Sequence, residues 1–219
     1  MGSNRIGPHG EGAFEKRHVG EEDFLAVLDD LLAALRASGA PFAFIGGIAS
    51  AVMGRPRPTL DVDVMVRAWE ARTVLRALEE AGFETQETFP HWLFKAARRG
   101  VVADVIFLST GDLYLDDEML ARVRRREFMG RMLPIVSPED LVIMKALAHS
   151  EETPRYWYDG LSLVARSDLD WGYLLRRARH GPRCVLSFLL FARTAGLVVP
   201  ADAVRSLRRL VATGRLAAS

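Results

Sequence analysis

The chain has 219 residues, 49% of them hydrophobic, enough for one domain, or one domain with a helical extension, around a buried core. Its 29 Lys and Arg side chains nearly balance its 28 Asp and Glu side chains, for a formal net charge of +1, which argues against a histone-like protein and a polybasic membrane binder. The charges are nevertheless divided along the chain, because residues 1–120 carry 12 basic and 19 acidic side chains and residues 121–219 carry 17 and 9.

The cysteine content and the apolar stretches exclude several classes of protein. The single cysteine, Cys184, excludes an internal disulfide, and no Cys/His cluster is present for structural zinc. Cys184 lies in an apolar run, so we expect a buried, unreactive thiol. Residues 1–20 lack the apolar core of a signal peptide, and no apolar stretch approaches the roughly 20 residues of a membrane span. We therefore expect a soluble, cytoplasmic protein with no membrane partner.

Up to residue 136, the hydrophobic spacing predicts helices that alternate with short strands. Helices are predicted over residues 22–38, 48–53, 69–81 and 118–127. Strands are predicted over residues 42–45, 59–66, 101–108 and 132–136, and residues 83–97 are predicted as strand, loop and strand. This alternation indicates a small mixed sheet with flanking helices.

From Ser137 onward the sequence predicts helices alone. Ser137 can cap a helix, Pro138 suits its first position, and Asp140 completes a pattern like a capping box. Helices are predicted over residues 139–149, 155–166, 171–179, 183–195 and 201–212. We therefore expect an α+β fold in three parts: a flexible leader over 1–20, a sheet domain over 21–136 and a C-terminal helical bundle over 137–219.

Two aspartates, Asp61 and Asp63, lie two residues apart in the strand predicted over 59–66. Their carboxylates therefore project from one face of the strand, about 6–7 Å apart, while Val62 and Val64 project from the other face into a core. Two like charges on a mostly apolar strand are poorly solvated unless a cation neutralises them. Hard oxygen ligands suit Mg²⁺ or Mn²⁺, although an isolated Asp-x-Asp is more often an exposed polar face.

A third acid, Asp104, lies in the strand predicted over 101–108, where the other seven residues are apolar. A carboxylate in such a strand is costly to bury without a partner. If this strand lies beside the one that carries Asp61 and Asp63, Asp104 completes a three-carboxylate site. Such a site could hold two metal ions for phosphoryl or nucleotidyl transfer.

Gly46 and Gly47 follow the first predicted strand and precede a short helix. Glycine lets backbone N–H groups approach phosphate oxygens, and a helix N-terminus favours negative charge. Ser50, Arg55 and Arg57 are nearby candidates to contact a triphosphate. A Gly-Gly pair alone is usually a turn, but its position before the Asp-x-Asp and a buried third acid makes the combination specific.

These residues, in this order, resemble the nucleotidyltransferase superfamily with a DNA polymerase β-like palm. That pattern has Gly-Gly or Gly-Ser after a first strand, Asp-x-Asp on the second strand and a third acid on a later strand. The segment Arg57-Pro-Thr-Leu-Asp-Val-Asp63 resembles one bacterial branch of this superfamily. That branch contains uncharacterised nucleotidyltransferases and AbiEii-type toxins. The resemblance implies that residues 21–136 form the palm domain.

The resemblance also implies an activity, the transfer of NMP from an NTP such as ATP to an acceptor hydroxyl, with release of pyrophosphate. Asp61, Asp63 and Asp104 would bind Mg²⁺ or Mn²⁺, and Asp104 would help to activate the acceptor hydroxyl as a base. Gly46 and Gly47 would cradle the β- and γ-phosphates. The acceptor could be a small molecule, an RNA or a protein, and a toxin of a toxin–antitoxin pair would also bind an antitoxin. The alternative is a non-catalytic nucleotide- or RNA-binding module of the same fold.

The resemblance continues into the helical part of the chain, at Lys145 and Asp159. Lys145 lies among apolar neighbours, so it either reaches the nucleotide phosphates, as the resemblance implies, or extends to solvent. Asp159 either orients Lys145 or Arg155, or forms a surface ion pair. The chain departs from the family at Gly47, where a serine is common, and in the aromatic stretch before Asp159.

Three further sets of side chains have both a functional and a structural interpretation. Aromatic residues 156–158 could stack a base, although packing in the core is favoured. His91, Trp92 and Lys95 are close in sequence to Asp104 and could rim a cleft. The basic residues of the C-terminal half form either a solvated face or a polyphosphate- or RNA-binding surface. They are Arg122, Arg124, Arg125, Arg126, Arg131, Arg176, Arg177 and Arg179.

Overall fold

A seven-stranded mixed sheet lies at the centre of the fold in the computed structural model, which describes residues 14, 19–59, 61–150 and 152–214. The predicted leader therefore falls almost entirely outside the described residues. The strands are β1 (Phe42–Phe44), β2 (Asp61–Val66), β3 (Glu84–Phe89), β4 (Leu93–Arg98), β5 (Val101–Ile106), β6 (Arg124–Phe128) and β7 (Arg131–Ile135). Their order across the sheet is β3-β4-β5-β2-β1-β7-β6. β2 pairs with β5 and β1 with β7 in parallel, and the other neighbours are antiparallel.

Helices flank the sheet and follow it, which confirms the α+β fold class. The helices are α1 (Glu21–Ala37), α2 (Gly46–Met53), α3 (Ala71–Glu80), α4 (Asp117–Arg122), α5 (Pro138–Ala148), α6 (Arg155–Arg166), α7 (Trp171–Arg177), α8 (Pro182–Thr194) and α9 (Ala201–Thr213). Among the described residues, no helix is long and apolar enough to cross a membrane.

The core is continuous from the sheet into the helical part. α3 packs against α1 and against β3, β4 and β5, and α2 contacts β2, α5 and α6. Val62 and Val64 are fully buried, as their alternation with the two aspartates predicts. α5 is buried along most of its length because α6, α7 and α8 all pack against it. The division of the chain at residue 136 stays a prediction.

The predicted Ser137 cap and the predicted position of Pro138 at the start of α5 are confirmed. The Asp140 amide donates to Ser137 Oγ over 3.1 Å, and Pro138 occupies the first turn. These contacts satisfy an amide that the helix itself leaves unpaired. α5 therefore begins where the sequence predicts a change from mixed structure to helices.

The helix predicted over 118–127 is wrong in its second half. α4 ends at Arg122, and β6 pairs with β7 across a two-residue turn at Met129 and Gly130. Both turn residues have positive φ, 48° and 79°, as a type I′ hairpin turn requires. Because three successive arginines on this exposed edge strand replace the usual alternation of polar and apolar residues, the sequence pattern conceals the strand.

The expectation of a buried Cys184 is also wrong, because its side chain is exposed. The buried positions of α8 are Val185, Phe188, Leu189 and Ala192, which share one face of the helix. Cys184 lies outside that face, even though its neighbours in sequence are apolar.

Candidate active site

Three aspartates from two neighbouring strands form the acidic cluster, which consists of Asp61, Asp63 and Asp104. β2 and β5 pair with Asp63 directly opposite Asp104, so the parallel register brings the carboxylates together. One carboxylate oxygen from each acid lies within 4.8 Å of the other two. Asp104 is 8% exposed, and the other two are half-buried. The condition for a three-carboxylate site, that the two strands lie side by side, is therefore met.

The two glycines at the start of α2 lie directly against this cluster. The Gly47 amide donates to Asp63 Oδ2 over 3.3 Å. Gly46 has a φ of 60°, and a Cβ added there would lie 1.7 Å from the same Asp63 oxygen. Only glycine combines this backbone conformation with so close an approach. α2 therefore begins at the carboxylates rather than at Ile48, where the sequence predicts its start.

A threonine that the sequence does not single out completes the contact between the glycines and the acids. Thr59 Oγ1 donates to Asp61 Oδ1 over 2.9 Å, and a Cβ added at Gly47 would lie 2.3 Å from the same hydroxyl oxygen. Thr59 therefore orients the first aspartate while it packs against the second glycine. A threonine two residues before an aspartate is too common a pattern to identify this role.

The other phosphate-binding candidates near α2 differ in orientation. Ser50 is buried, and its hydroxyl donates to the Gly46 carbonyl over 2.7 Å, so it supports the glycine turn from within the helix. Arg57 Nη2 donates to Asp159 Oδ2 over 3.1 Å. Arg55 is exposed. The three side chains therefore do not converge on one point.

Asp159 holds two cations in what we call the Asp159 cluster, which consists of Asp159, Lys145 and Arg57. Lys145 Nζ lies 3.2 Å from Asp159 Oδ2, and both side chains are buried. Burial lowers the pKa of Lys145, while the carboxylates of Asp159 and Asp63 oppose this shift. The contribution of Asp63 indicates that the lysine lies near the acidic cluster. Asp159 thus pairs with Lys145 and Arg57 in the interior, and not at the surface.

The three aromatic residues before Asp159 lie in three different environments. The Tyr156 ring lies 4.5 Å from Lys145 Nζ, and burial together with nearby Asp63 raises the pKa of its phenol. Trp157 stacks on His149 with ring centroids 4.5 Å apart and packs against the helical core. Tyr158 is 60% exposed. Packing thus accounts for Trp157, whereas Tyr156 lies beside the site.

Lys95 contacts the acidic cluster directly, although its place in the sequence predicts only a position at the rim of a cleft. Its Nζ donates to Asp104 Oδ1 over 2.8 Å, and the residue is 8% exposed. β4 and β5 pair with Lys95 opposite Asp104, which fixes the contact through the sheet. His91, by contrast, is exposed at the β3–β4 turn. A lone lysine in a short strand does not reveal its partner, so no local signal predicts the pair.

The arginines of the C-terminal half do not form one basic surface. Arg177 is fully buried, with Nε 2.9 Å from Asp140 Oδ1. Arg122, Arg131 and Arg176 form ion pairs with Asp170, Asp29 and Glu118, respectively. The run at 124–126 is exposed along β6, at the edge of the sheet.

The donor set of the acidic cluster fits a hard divalent cation. Three carboxylate oxygens within 4.8 Å of one another repel unless positive charge lies between them. Carboxylates are the ligands that Mg²⁺ and Mn²⁺ prefer. Asp61, Asp63 and Asp104 are therefore the residues that could hold such an ion.

Comparison with known proteins supports one family. A family model described as "Uncharacterised nucleotidyltransferase" matches residues 12–198. The chain is similar to the solution structure of the antibiotic-resistance factor ANT(2'')-Ia, with a TM-score of 0.51, 16% identity, and coverage of 89% of this chain and 94% of that chain. It is also similar to an antigenic nucleotidyltransferase-like protein from Paracoccidioides brasiliensis, with a TM-score of 0.52, 17% identity, and coverage of 85% and 94%. At these identities the likeness shows the fold. The sequence matches no curated protein.

Proposed function

The chain belongs to this family of nucleotidyltransferases, and we propose from that premise that it transfers NMP from an NTP to an acceptor hydroxyl. The reaction is R–OH + NTP → R–O–NMP + pyrophosphate. The acceptor oxygen forms a bond to the α-phosphorus, the bond between the α-phosphorus and the bridging oxygen breaks, and the hydroxyl proton leaves.

The observation that carries this proposal is the acidic cluster beside the glycine turn. One oxygen from each of its three carboxylates lies within 4.8 Å of the other two, and Asp63 Oδ2 accepts a hydrogen bond from the Gly47 amide. Asp61, Asp63 and Asp104 would hold Mg²⁺ or Mn²⁺, which when bound neutralises charge on the phosphates as the transition state forms. An acidic cluster without cations would repel a triphosphate, so we expect activity to depend on the metal.

The remaining residues bind and orient the substrates. Gly46 and Gly47 allow the β- and γ-phosphates to approach the start of α2, and Ser50 keeps the turn in place through the Gly46 carbonyl. Lys145 and Arg57 supply positive charge for the nucleotide, held in position by Asp159. Asp104 would accept the proton of the acceptor hydroxyl as a base.

We propose that the acceptor is a small hydroxyl compound. Several arginines that could have formed an RNA-binding surface are instead engaged with carboxylates, and Arg177 is buried. The labelling experiment distinguishes this proposal from three alternatives: an RNA acceptor, a protein acceptor and a toxin controlled by an antitoxin.

The test is incubation of the purified protein with each α-³²P-labelled NTP, Mg²⁺ or Mn²⁺, and fractionated cell extract. We expect label in the small-molecule fraction and release of pyrophosphate, both lost in Asp61→Asn. Asp168→Asn is the matched control, because it removes an exposed acid outside the site. Binding of NTP without pyrophosphate release, with every fraction unlabelled, would indicate a non-catalytic module. Label in RNA would contradict the proposal that the acceptor is a small hydroxyl compound. Growth arrest on expression would contradict it in favour of a toxin.

A further inference from the structure

Asp159 holds two cations with one oxygen, and the two cations differ in their access to the candidate active site. Arg57 Nη2 lies 3.1 Å and Lys145 Nζ 3.2 Å from Asp159 Oδ2. The Asp159 side chain is 1% exposed, so it needs at least one cation beside it. Either cation can meet that need, which leaves the other available for a ligand.

Arg57 is the cation that lies at the glycine turn. A Cβ added at Gly47 would lie 3.7 Å from Arg57 Nη2, so the guanidinium borders the turn that begins α2. The side chain is 19% exposed, and its Nε has no hydrogen-bond partner among the described residues. A guanidinium has five N–H donors in a planar fork that matches two phosphate oxygens at once. Arg57 therefore has both the position and the donors to bind a phosphate group.

Lys145 has neither the exposure nor the freedom for this contact. Only 6% of its side chain is exposed, and the ring of Tyr156 lies 4.5 Å from Nζ. Removal of the ammonium from Asp159 would separate a buried pair of charges, which is costly. Lys145 therefore stays on Asp159, and that carboxylate remains paired when Arg57 bonds to a ligand.

We propose that, of these two cations, Arg57 alone contacts the terminal phosphates of the nucleotide, that Asp159 positions it there, and that Lys145 is the permanent partner of Asp159. Lys145 contributes its charge from within the protein, without contact. The resemblance to the nucleotidyltransferase superfamily implies the opposite for Lys145, which would reach the phosphates. The inference rests on the proposed function, because it needs a triphosphate at the start of α2.

Binding of inorganic tripolyphosphate in the presence of Mg²⁺ tests the contact without base, sugar or turnover. Isothermal titration calorimetry should show a loss of affinity of at least about tenfold in Arg57→Met, the size expected for a lost charge-assisted hydrogen bond. Arg57→Lys keeps the charge but not the planar fork, so its loss should be smaller. Arg72→Met is the matched control, because it also breaks an arginine–carboxylate pair, with Glu87 on β3, three strands from β2. It should bind tripolyphosphate like the wild type.

Lys145→Met should show the opposite pattern. The substitution removes a buried ion pair but leaves Arg57 on Asp159, so the urea midpoint of unfolding should fall while the folded protein binds tripolyphosphate with wild-type affinity. A loss of about tenfold or more in Lys145→Met, or an unchanged affinity in Arg57→Met, would overturn the inference.

Nuclear magnetic resonance decides the question if Lys145→Met fails to fold. The signal of Arg57 Nε–H is identified by its absence from Arg57→Lys, and that of Lys145 Nζ–H by its absence from Lys145→Arg. Addition of tripolyphosphate and Mg²⁺ should shift the arginine signal more than the lysine signal. A larger shift at Lys145 would overturn the inference.

A double-mutant cycle tests the positioning role of Asp159. Asp159→Asn, or Asp159→Glu if the first variant fails to fold, should weaken tripolyphosphate binding when Arg57 is present. The same change should have no further effect in Arg57→Met, because Asp159 acts through Arg57. Equal losses in both backgrounds, or a gain in affinity, would contradict the positioning role.

The outcomes also separate this inference from the proposed function. Loss of tripolyphosphate binding in Arg57→Met, without any NTP turnover by the wild type, would support the phosphate contact and contradict the enzyme proposal. NTP turnover together with an unchanged affinity in Arg57→Met would do the reverse. No binding of tripolyphosphate to the wild type at millimolar concentration would contradict the inference, whatever the result of the labelling experiment.

Discussion

Asp159 Oδ2 lies 3.2 Å from Lys145 Nζ, and this ion pair joins α6 to α5 in the interior of the protein. The same oxygen accepts from Arg57, so one carboxylate holds two cations from separate parts of the chain. Both α5 and α6 contact α2, which begins at the acidic cluster. The Asp159 cluster therefore connects the helical part of the fold to the candidate active site.

Asp159→Asn should be strongly destabilising. The substitution leaves Lys145 buried without its carboxylate, and breaking a buried pair in this way typically costs about 3–5 kcal/mol. We expect a lower free energy of unfolding in urea and weaker NTP binding. Asp168→Asn removes an exposed acid and should change the free energy of unfolding by less than about 0.5 kcal/mol. Equal stability of the two variants would mean that Asp159 does not hold the cluster together.

Gly46→Ala should abolish nucleotide transfer while the protein still folds. The new Cβ would overlap Asp63 Oδ2, so the carboxylate must move. The positive φ adds about 1–2 kcal/mol of backbone strain. Gly39→Ala is the matched control, because Gly39 also has a positive φ, 69°, and among the described residues beyond its chain neighbours no atom lies within 4 Å of an added Cβ. We expect a larger loss of thermal stability in Gly46→Ala than in Gly39→Ala, with pyrophosphate release retained only in Gly39→Ala. Retention in both variants would exclude a role for the close approach.

Arg177→Met should reduce stability through a polar network remote from the site. Arg177 lies between Asp140 and Asp116, and the Tyr173 hydroxyl donates to Asp140 over 2.7 Å. Burial raises the pKa of the Asp140 carboxyl, and Arg177 opposes that shift. We expect a loss of about 3–5 kcal/mol in chemical denaturation. Arg176→Met, which removes a half-exposed cation from the same helix, should cost under about 1 kcal/mol.

His180 should make the fold sensitive to mild acid. Its Nδ1–H donates to the Gly111 carbonyl over 2.8 Å, and burial lowers the pKa of the imidazole below 6.5. Between that lowered pKa and 6.5 the unfolded chain binds more protons than the folded one, so stability falls as the pH decreases through this window. Urea denaturation at pH 7.5 and pH 5.5 should show a smaller loss for His180→Gln than for the wild type. Parallel losses in both proteins would assign the acid sensitivity to other groups.

Much of the site was predictable because its signals are local. Alternation along β2 separates Asp61 and Asp63 from the buried valines, and the glycines precede them at a characteristic interval. The apolar surroundings of Asp104 indicate a carboxylate that needs a partner. By contrast, the exposure of Cys184 and the existence of β6 depend on which surfaces the other elements cover. The predictions of a buried Cys184 and of a helix over residues 118–127 were therefore wrong, the second in its second half.

The sequence by itself determined the α+β class, the order of most elements and the three acids, because periodicity and residue chemistry act within a few positions along the chain. Only the tertiary structure decided which cations pair with Asp104 and Asp159. Lys95 meets Asp104 through the register of β4 and β5, and Arg57 meets Asp159 across 102 positions. Pairing between strands and contact between distant helices depend on how the whole core packs, so the cations that surround the acidic cluster emerge only in the folded molecule.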